Sequence, residues 1–168
     1  INISSPNTEG LRDFHEENSL IKLLEGLNKL KKDKNIDKPL TIKLSPDIDE
    51  KEISNIVEII KKYNINGVII SNTTNQNREK LLDSKKDEAG GLSGQPIKSI
   101  STNLIKKFYK ELNRKITIIG VGGIDSGKSA FEKITAGADV IQLYTGMVYR
   151  GPGVVKEIKK ELISILKN

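Results

Sequence analysis

Apolar and polar positions alternate along the chain in blocks that predict short strands separated by helices. Apolar runs of strand length, several of them rich in β-branched residues, occur at 1–3, 40–44, 68–70, 116–119 and 140–144. Apolar residues at steps of three and four predict helices with one buried face over about 19–32, 49–63, 101–112, 126–136 and 154–166. Strands that alternate with helices predict an α/β fold with a parallel sheet.

Polar residues or glycines follow every predicted strand, at 2–7, 43–47, 71–74, 120–123 and 144–145. In parallel sheets, ligands bind beyond the carboxyl ends of the strands, so we expect these five segments to meet at one site. The irregular stretch 75–100 carries the run G-G-L-S-G at 90–94. Loops of this length in compact domains usually carry function or are mobile.

Composition narrows the possible chemistry. The 168 residues are 36% hydrophobic and 30% charged, as in an ordinary globular domain with a core. There is no cysteine and only one histidine, which excludes disulfides and the usual zinc sites; we expect that histidine, His15, at the surface without a role. No apolar run has membrane-spanning length and the chain opens on a strand, so we predict a soluble chain without a signal peptide.

The net charge of +6 could attract an anionic partner such as nucleic acid. The lysines, however, are scattered over every predicted helix among acidic residues, and aromatic residues that could stack on bases are only 4% of the chain. We therefore predict a solvated, lysine-rich surface and no nucleic-acid partner. The excess of positive charge still favours the approach of small anionic molecules.

Candidate chemistry is densest in the first twelve residues, where Asn2, Ser5 and Asn7 surround a rigid turn at Pro6. Their amides and hydroxyl can match the C=O and N–H edge of a small planar heterocycle. The same residues also suit an Asx or serine turn that caps the following helix, and this stretch alone does not decide between the two. Arg12 could clamp a carboxylate or pin the loop through a salt bridge.

A second motif, G-G-I-D-S-G-K-S at 122–129, fits the P-loop pattern and lies between a predicted strand and a predicted helix. The next predicted strand, however, ends in Tyr144 and Thr145, without the aspartate that a nucleotide-bound magnesium ion would need. A P-loop NTPase is therefore the minor alternative.

The motif N-I-S-S-P-N-T-E-G-L-R at 2–12 resembles the signature of class 2, quinone-linked dihydroorotate dehydrogenases. Class 1 relatives have cysteine in place of Ser5, whereas Glu9 departs from the small residue or proline that is frequent in the family. The resemblance covers essentially the whole chain and implies an α/β fold of the (β/α)8 TIM-barrel family. Residues 1–168 would then form the C-terminal portion of a single FMN-binding barrel domain, about strands four to eight, with the N-terminal strands absent from this chain.

The resemblance also implies roles for individual residues. Ser5 would be the catalytic base and, because serine is a poor base at neutral pH, would pass its proton onward through water or Thr73. The substrate would be held by Asn2, Asn7, Asn72 and Thr73. The FMN cofactor would be contacted by Asn2, Lys43, Ser71, Gly94, Gly122, Gly123, Tyr144 and Thr145. The phosphate end is expected at the last four of these residues, where the final barrel strands end.

Lys43 interrupts an otherwise apolar strand. In the family, the matching lysine stabilises negative charge on the flavin, next to its N1/C2=O edge. A lysine that extends to solvent from a strand edge and a Schiff-base lysine of an aldolase-type barrel are the alternatives.

As a member of that family, the chain is expected to oxidise (S)-dihydroorotate to orotate in de novo pyrimidine (UMP) biosynthesis, with hydride transfer to FMN and reoxidation by a quinone. The enzyme would be peripherally associated with the bacterial cytoplasmic membrane or the mitochondrial inner membrane, through an N-terminal region absent from this chain. One alternative is a related FMN-dependent barrel oxidoreductase that acts on another small ring. Another is a noncatalytic half-barrel that assembles with a second chain.

Overall fold

Four parallel strands form a sheet that runs through the centre of the structure. The computed structural model describes residues 1–79 and 81–167; Lys80, in the predicted loop 75–100, and Asn168 lie outside the described residues. The strands pair in chain order: β1 (Thr41–Leu44), β2 (Gly67–Ile70), β3 (Thr117–Gly120) and β4 (Val140–Ile141). This arrangement confirms the predicted α/β class, and it is that of one side of a (β/α) barrel.

Helices follow the strands as predicted. They are α1 (Glu17–Asp33), α2 (Glu50–Lys62), α3 (Lys98–Leu112), α4 (Gly127–Thr135), α5 (Thr145–Arg150) and α6 (Val154–Lys167). Two 3-10 turns, Leu11–His15 and Gln95–Ile97, precede α1 and α3. The short helix α5 was not predicted from the sequence, because none of its six residues is buried and it therefore shows no apolar periodicity.

The two faces of the sheet differ in their surroundings. The strand register aligns one row of residues that is almost fully buried against the helices: Ile42, Val68 and Ile118. Because side chains alternate along a strand, the next position on each strand points to the opposite face. That second row is half-buried and consists of Lys43, Ile69 and Ile119. The period of two thus explains how a lysine lies within an apolar strand.

The first predicted strand, 1–3, is present as a single parallel bridge between Asn2 and Lys43. The Lys43 amide donates a hydrogen bond of 2.8 Å to the Ile1 carbonyl. Immediately afterwards, Asn2 Oδ1 accepts hydrogen bonds from the amide and the hydroxyl of Ser4. The Asn2 side chain therefore accepts a hydrogen bond from the Ser4 amide, which would otherwise extend the backbone pairing, and the strand ends there.

The last strand, β4, is shorter than the predicted 140–144. The Gln142 amide still donates to the Gly120 carbonyl at 2.9 Å, but the neighbouring chain then turns away at Gly122 and Gly123, whose φ angles are +108° and +69°. No extended partner is left beside 143–144, and Tyr144 becomes the N-cap of α5.

Local signals set where the helices begin. Asp49 caps α2 as predicted, through a reciprocal capping box with Glu52. For α4 the cap is Ser126, the second of the two residues expected there. Helix α3 begins at Lys98, before the predicted position 101, because Pro96 opens a 3-10 turn that runs directly into it.

His15 is buried, so the prediction that it lies on the surface was wrong. Its side chain bridges two loops: Nδ1 lies 3.0 Å from the Arg12 carbonyl, and Nε2 accepts a hydrogen bond from the Ser45 amide at 3.3 Å. Burial lowers the pKa of His15, which favours the neutral ring that this pair of contacts needs. The sequence did not indicate this burial, because His15 ends a short 3-10 turn in which apolar residues show no periodicity.

Candidate functional site

A cavity of about 380 Å³ opens at the carboxyl ends of the strands, where such sheets bind ligands. Nine of the predicted site residues line it: Lys43, Ser71, Asn72, Thr73, Gly94, Gly122, Gly123, Tyr144 and Thr145. They come from the ends of all four strands and from the long loop 75–100. The structure therefore brings these nine residues together, whereas Asn2, Ser5 and Asn7 lie outside the lining of this cavity.

Asn2 is nevertheless joined to the cavity through Asn72. The Asn72 side-chain amide donates to Asn2 Oδ1 at 3.2 Å and to Ser4 Oγ at 3.1 Å, and Ser4 Oγ itself donates to Asn2 Oδ1 at 2.9 Å. Ser4 is fully buried. The other end of the Asn72 amide is fixed as well, because its oxygen accepts the Thr73 backbone amide at 2.8 Å. Asn72 is thus the link between the opening loop and the cavity wall.

Ser5 and Asn7 lie on the outer part of the opening loop. Ser5 is half-buried, and its hydroxyl oxygen accepts a hydrogen bond of 3.2 Å from the Asn7 amide, which forms the serine turn expected around Pro6. Asn7 is exposed and borders a separate surface cavity. Their catalytic and substrate-binding roles stay predictions.

Gly91 connects this loop with Thr73. A Cβ atom added at Gly91 would lie 1.9 Å from Thr73 Oγ1 and 3.2 Å from Pro6 Cγ. The long loop is held in this position at its base, where Thr74 and Leu92 exchange two backbone hydrogen bonds. Only glycine permits so close an approach. Because Gly91 has no side chain, the loop that carries Ser5 and Pro6 can lie next to the Thr73 hydroxyl.

Lys43 reaches the cavity from β1. Its ammonium is half-buried, and burial lowers its pKa. A cation in such a place is available to a bound ligand with negative charge. No carboxylate forms an ion pair with Lys43 within the described part of the chain.

Gly122 and Gly123 form a loop that packs against the first turn of α3. A Cβ atom at Gly122 would lie 2.9 Å from Ser101 Oγ, and one at Gly123 would lie 2.5 Å from Lys98 Cβ and 2.9 Å from Lys98 Cα. Both glycines are buried and have positive φ angles. The loop therefore presents main chain to the cavity, next to the amino end of a fifteen-residue helix, where anions are favoured.

Thr145 closes the cavity on the side of β4. Its hydroxyl donates to Ser93 Oγ at 2.9 Å, and a Cβ atom at Gly94 would lie 3.0 Å from its methyl group. Gly94 has a φ of +74°. Tyr144 beside it also lines the cavity and is 74% exposed.

Arg12 pins the loop, which is one of the two roles considered for it. Its guanidinium pairs with the Asp47 carboxylate at 3.0 Å and donates to Asn75 Oδ1 at 3.3 Å. Asp47 Oδ1 also accepts the Thr74 hydroxyl at 2.6 Å. These contacts join the opening loop to the segments after β1 and β2.

The P-loop alternative does not fit the structure. A P-loop offers its helix amino end to phosphates, but here Glu161 of α6 fills that place and accepts a hydrogen bond from the Gly127 amide. Lys128 is exposed, and the Ser129 hydroxyl bonds within the turn to Asp125 and Ser126. A carboxylate at this position repels phosphate.

Sequence reasoning missed several residues of the site. Gly91 and Ser93 stand in the G-G-L-S-G run, which could have indicated them, and Ser4 lies inside the opening motif. The apolar part of the lining gave no signal that distinguishes it from core: Ile97, Val121, Ile124 and Leu143. Behind the lining, Lys133 is completely buried, and a lysine in an amphipathic helix gives no hint of that.

Two features are absent from the described residues. Within 1–79 and 81–167, no helix is both long and apolar enough to cross a membrane. The same residues contain no group of three or more His, Cys, Asp or Glu side chains that could hold a metal ion.

Comparison with known proteins agrees with the geometry. A family model described as dihydroorotate dehydrogenase matches residues 1–166. Proteins named dihydroorotate dehydrogenase (quinone) are 45% identical in Trichodesmium erythraeum and 46% identical in Vibrio parahaemolyticus, over 99% and 96% of this chain. A mitochondrial protein of that name from Schizosaccharomyces pombe is 43% identical over 99% of the chain. The matches cover 45%, 49% and 38% of these relatives.

The fold leads to the same relatives. The crystal structure of a ligand-free dihydroorotate dehydrogenase from Eimeria tenella superposes with a TM-score of 0.92 at 34% identity. The match covers 99% of this chain and 50% of that one, so the chain spans about half the length of the relatives it matches. The sheet with its covering helices is therefore a partial (β/α) barrel, and the chain belongs to the dihydroorotate dehydrogenase family.

Proposed function

We propose that this chain supplies the flavin and substrate site of a quinone-linked dihydroorotate dehydrogenase, which oxidises (S)-dihydroorotate to orotate in pyrimidine biosynthesis. One observation carries the proposal. Predicted site residues from four separate strand ends and the long loop converge on one cavity, and Asn2 of the opening motif is bonded to its wall through Asn72. Isolated turns would have no reason to share a cavity.

The residues of the cavity fit FMN. Lys43, which lines the cavity, would lie beside the N1/C2=O edge of the flavin, where its ammonium would offset the negative charge of the reduced ring. The phosphate would be received by the main chain at Gly122 and Gly123 and by the first turn of α3. Thr145 and Gly94 would border it from the other side. When bound, FMN would supply the acceptor for the hydride and pass the electrons to the quinone.

The substrate would lie between the flavin and the opening loop. Asn2 and Asn7 would offer amide donors to the ring carbonyls of dihydroorotate, and Asn72 would offer its amide oxygen to a ring N–H, since its own N–H groups donate to Asn2 and Ser4. Asn72 is held at both ends of its amide, so its orientation is set before the ligand arrives. Such preorganisation avoids the entropic cost of fixing a side chain during binding.

Ser5 would remove the substrate proton. A serine hydroxyl needs a further acceptor for its own proton, and Thr73, which Gly91 holds beside the loop of Pro6, would serve as that relay. The long loop, which Thr74 and Leu92 hold in place beside Thr73, would shield the proton path from bulk water.

Quinones dissolve in membranes, so the proposed acceptor assigns the enzyme to a membrane surface, either the bacterial cytoplasmic membrane or the mitochondrial inner membrane. The relatives named for quinone support that acceptor, and one of them is mitochondrial.

The decisive experiment is anaerobic mixing of the protein, at its full natural length, with dihydroorotate while flavin absorbance is recorded. We expect bound flavin whose absorbance bleaches on mixing. Ser5→Ala should bind flavin normally but bleach about 100-fold or more slowly, because it lacks the base. Ser54→Ala, an exposed serine on α2, is the matched control and should behave as the wild type.

Two results would contradict the proposal. Absence of flavin from the full-length protein would remove the proposed activity altogether. Normal bleaching in Ser5→Ala would leave the activity intact but reject Ser5 as the base.

A further inference from the structure

Lys133 of α4 is a completely buried lysine outside the cavity lining. Its ammonium donates to the Lys98 carbonyl at 2.9 Å, to Thr102 Oγ1 at 2.8 Å and to Ser101 Oγ. An ammonium has three donors, and all three are used. All three acceptors belong to the first turns of α3, so the lysine binds one helix to the beginning of another.

The contacts continue to the glycine loop at the cavity. Ser101 Oγ donates to the Val121 carbonyl at 2.7 Å, and the same oxygen would lie 2.9 Å from a Cβ atom at Gly122. Two hydrogen bonds therefore separate the Lys133 ammonium from the main chain of the loop. The cavity lies on one side of this loop, and the buried cation lies behind it.

The charge of Lys133 has no counter-ion among its hydrogen-bond partners. All three acceptors are neutral oxygens. Glu132 is next in sequence, but its carboxylate pairs with the Lys98 ammonium at 3.1 Å. A fully buried cation without an anion in direct contact is costly, and proteins usually pair such charges.

Hydrogen bonding alone does not explain the lysine. Without the ammonium, the Thr102 hydroxyl would still donate to the Lys98 carbonyl at 2.7 Å, and the Ser101 hydroxyl would still donate to Val121. Methionine has a stem of similar length and could fill the space. The packing of α4 against α3 thus needs the volume of this side chain but not its charge.

We propose that Lys133 is a positioning residue of the phosphate site, and that its buried charge is complemented by the phosphate of FMN across the Gly122–Gly123 loop. The inference rests on the proposed function, since it needs a flavin phosphate at this loop. It adds a residue that touches neither flavin nor substrate, and it explains why a cation is retained where an apolar residue would fit.

The test compares two ligands that differ only in the phosphate. Flavin-stripped protein of full natural length is titrated with FMN and with riboflavin, and binding is followed by the quenching of flavin fluorescence. In Lys133→Met we expect the Kd for FMN to rise on the order of tenfold, while the Kd for riboflavin changes little, because only FMN carries the anion. The thermal midpoint of the flavin-free protein should not fall.

Two further variants separate charge from structure. Lys133→Gln keeps hydrogen-bond donors without the charge, so it should lose FMN affinity as Lys133→Met does; it also replaces that variant if methionine prevents folding. Lys128→Met removes an exposed lysine from the same helix and should leave both affinities unchanged.

Three outcomes would overturn the inference. They are an unchanged Kd for FMN in Lys133→Met, an equal loss of affinity for FMN and riboflavin, and restored FMN affinity in Lys133→Gln. The second and third would make Lys133 a structural residue only. If the wild type binds neither flavin, the proposed function fails, and this inference fails with it.

Discussion

The two ends of the cavity are built in different ways. At the phosphate end, two buried glycines present their main chain, and close packing against α3 fixes their position. At the substrate end, side-chain amides from exposed or half-buried positions, among them Asn2 and Asn72, are fixed by hydrogen bonds to one another. Close packing leaves almost no space for an added atom at the glycines. In the polar network, by contrast, a substitution removes only the hydrogen bonds of the side chain that is replaced.

The largest effect is expected from Gly123→Ala at the phosphate end. The new methyl group would lie 2.9 Å from Lys98 Cα, a main-chain atom that cannot move aside, and the φ of +69° is unfavourable for alanine. We expect a loss of about 4 kcal/mol in the free energy of unfolding, measured by urea denaturation. FMN affinity should fall with it.

Gly153→Ala is the matched control for that substitution. An added Cβ atom there meets nothing within 4 Å, and the φ is not positive. Its free energy of unfolding should equal that of the wild type. Equal stability of the Gly123 and Gly153 variants would show that the phosphate end is not fixed by packing.

A smaller effect on folding stability is expected from Lys133, the buried cation behind the phosphate end of the cavity. Burial lowers the pKa of Lys133 to about 8, the Glu132 carboxylate opposes the shift, and the Lys98 ammonium adds to it. Because the pKa is lower in the folded than in the unfolded chain, the unfolded chain binds more protons between pH 8 and 10.5. The contribution of Lys133 to folding therefore becomes more favourable as the pH rises through this range, by about 3 kcal/mol.

The measurement is the difference in free energy of unfolding between wild type and Lys133→Met, both without flavin, at pH 7 and at pH 10. The other lysines are common to both proteins and cancel. Lys133→Met should be the more stable protein at pH 7, and the gap should narrow at pH 10. A gap that is constant with pH would mean that Lys133 is not buried as a cation.

The smallest effect is expected at the substrate end. Asn72→Ala removes hydrogen bonds to Asn2 and Ser4 and should cost about 1 kcal/mol of folding free energy. In a double-mutant cycle, the loss in the Asn2→Ala, Asn72→Ala protein should be smaller than the sum of the two single losses, since the two residues share one hydrogen bond and only the Asn2 bonds to Ser4 are lost in addition. Strictly additive losses would show that the network does not couple the loop to the cavity.

The sequence predicted the order of strands and helices and most of the cavity lining, because apolar periodicity and polar strand ends are local signals. It could not predict features that depend on distant neighbours. The burial of His15 and Lys133 depends on hydrogen-bond partners far away in the chain, at Ser45 and at the start of α3. Strand β4 is short because the chain turns away after β3. The residues of β4 themselves do not indicate this.

The glycines of the site are a second example of contacts that the sequence could not predict. The family resemblance implied roles for Gly94, Gly122 and Gly123, but Gly91 is the glycine that approaches Thr73. Three of the five residues in G-G-L-S-G line the cavity, and nothing in the run itself tells which glycine makes the close approach.

The contact between α4 and α6 has a practical consequence for protein engineering. At Gly127 the two helices meet main chain to main chain, where an added Cβ atom would lie 2.9 Å from the Leu162 amide nitrogen. Glu161 also accepts a hydrogen bond from the Gly127 amide, in the first turn of the helix that carries Lys133. Shortening the chain before Glu161, or attaching a fusion partner within α6, would remove this contact from the first turn of α4 and disturb the lysine behind the glycine loop. Tags and fusion partners should therefore be attached beyond residue 167.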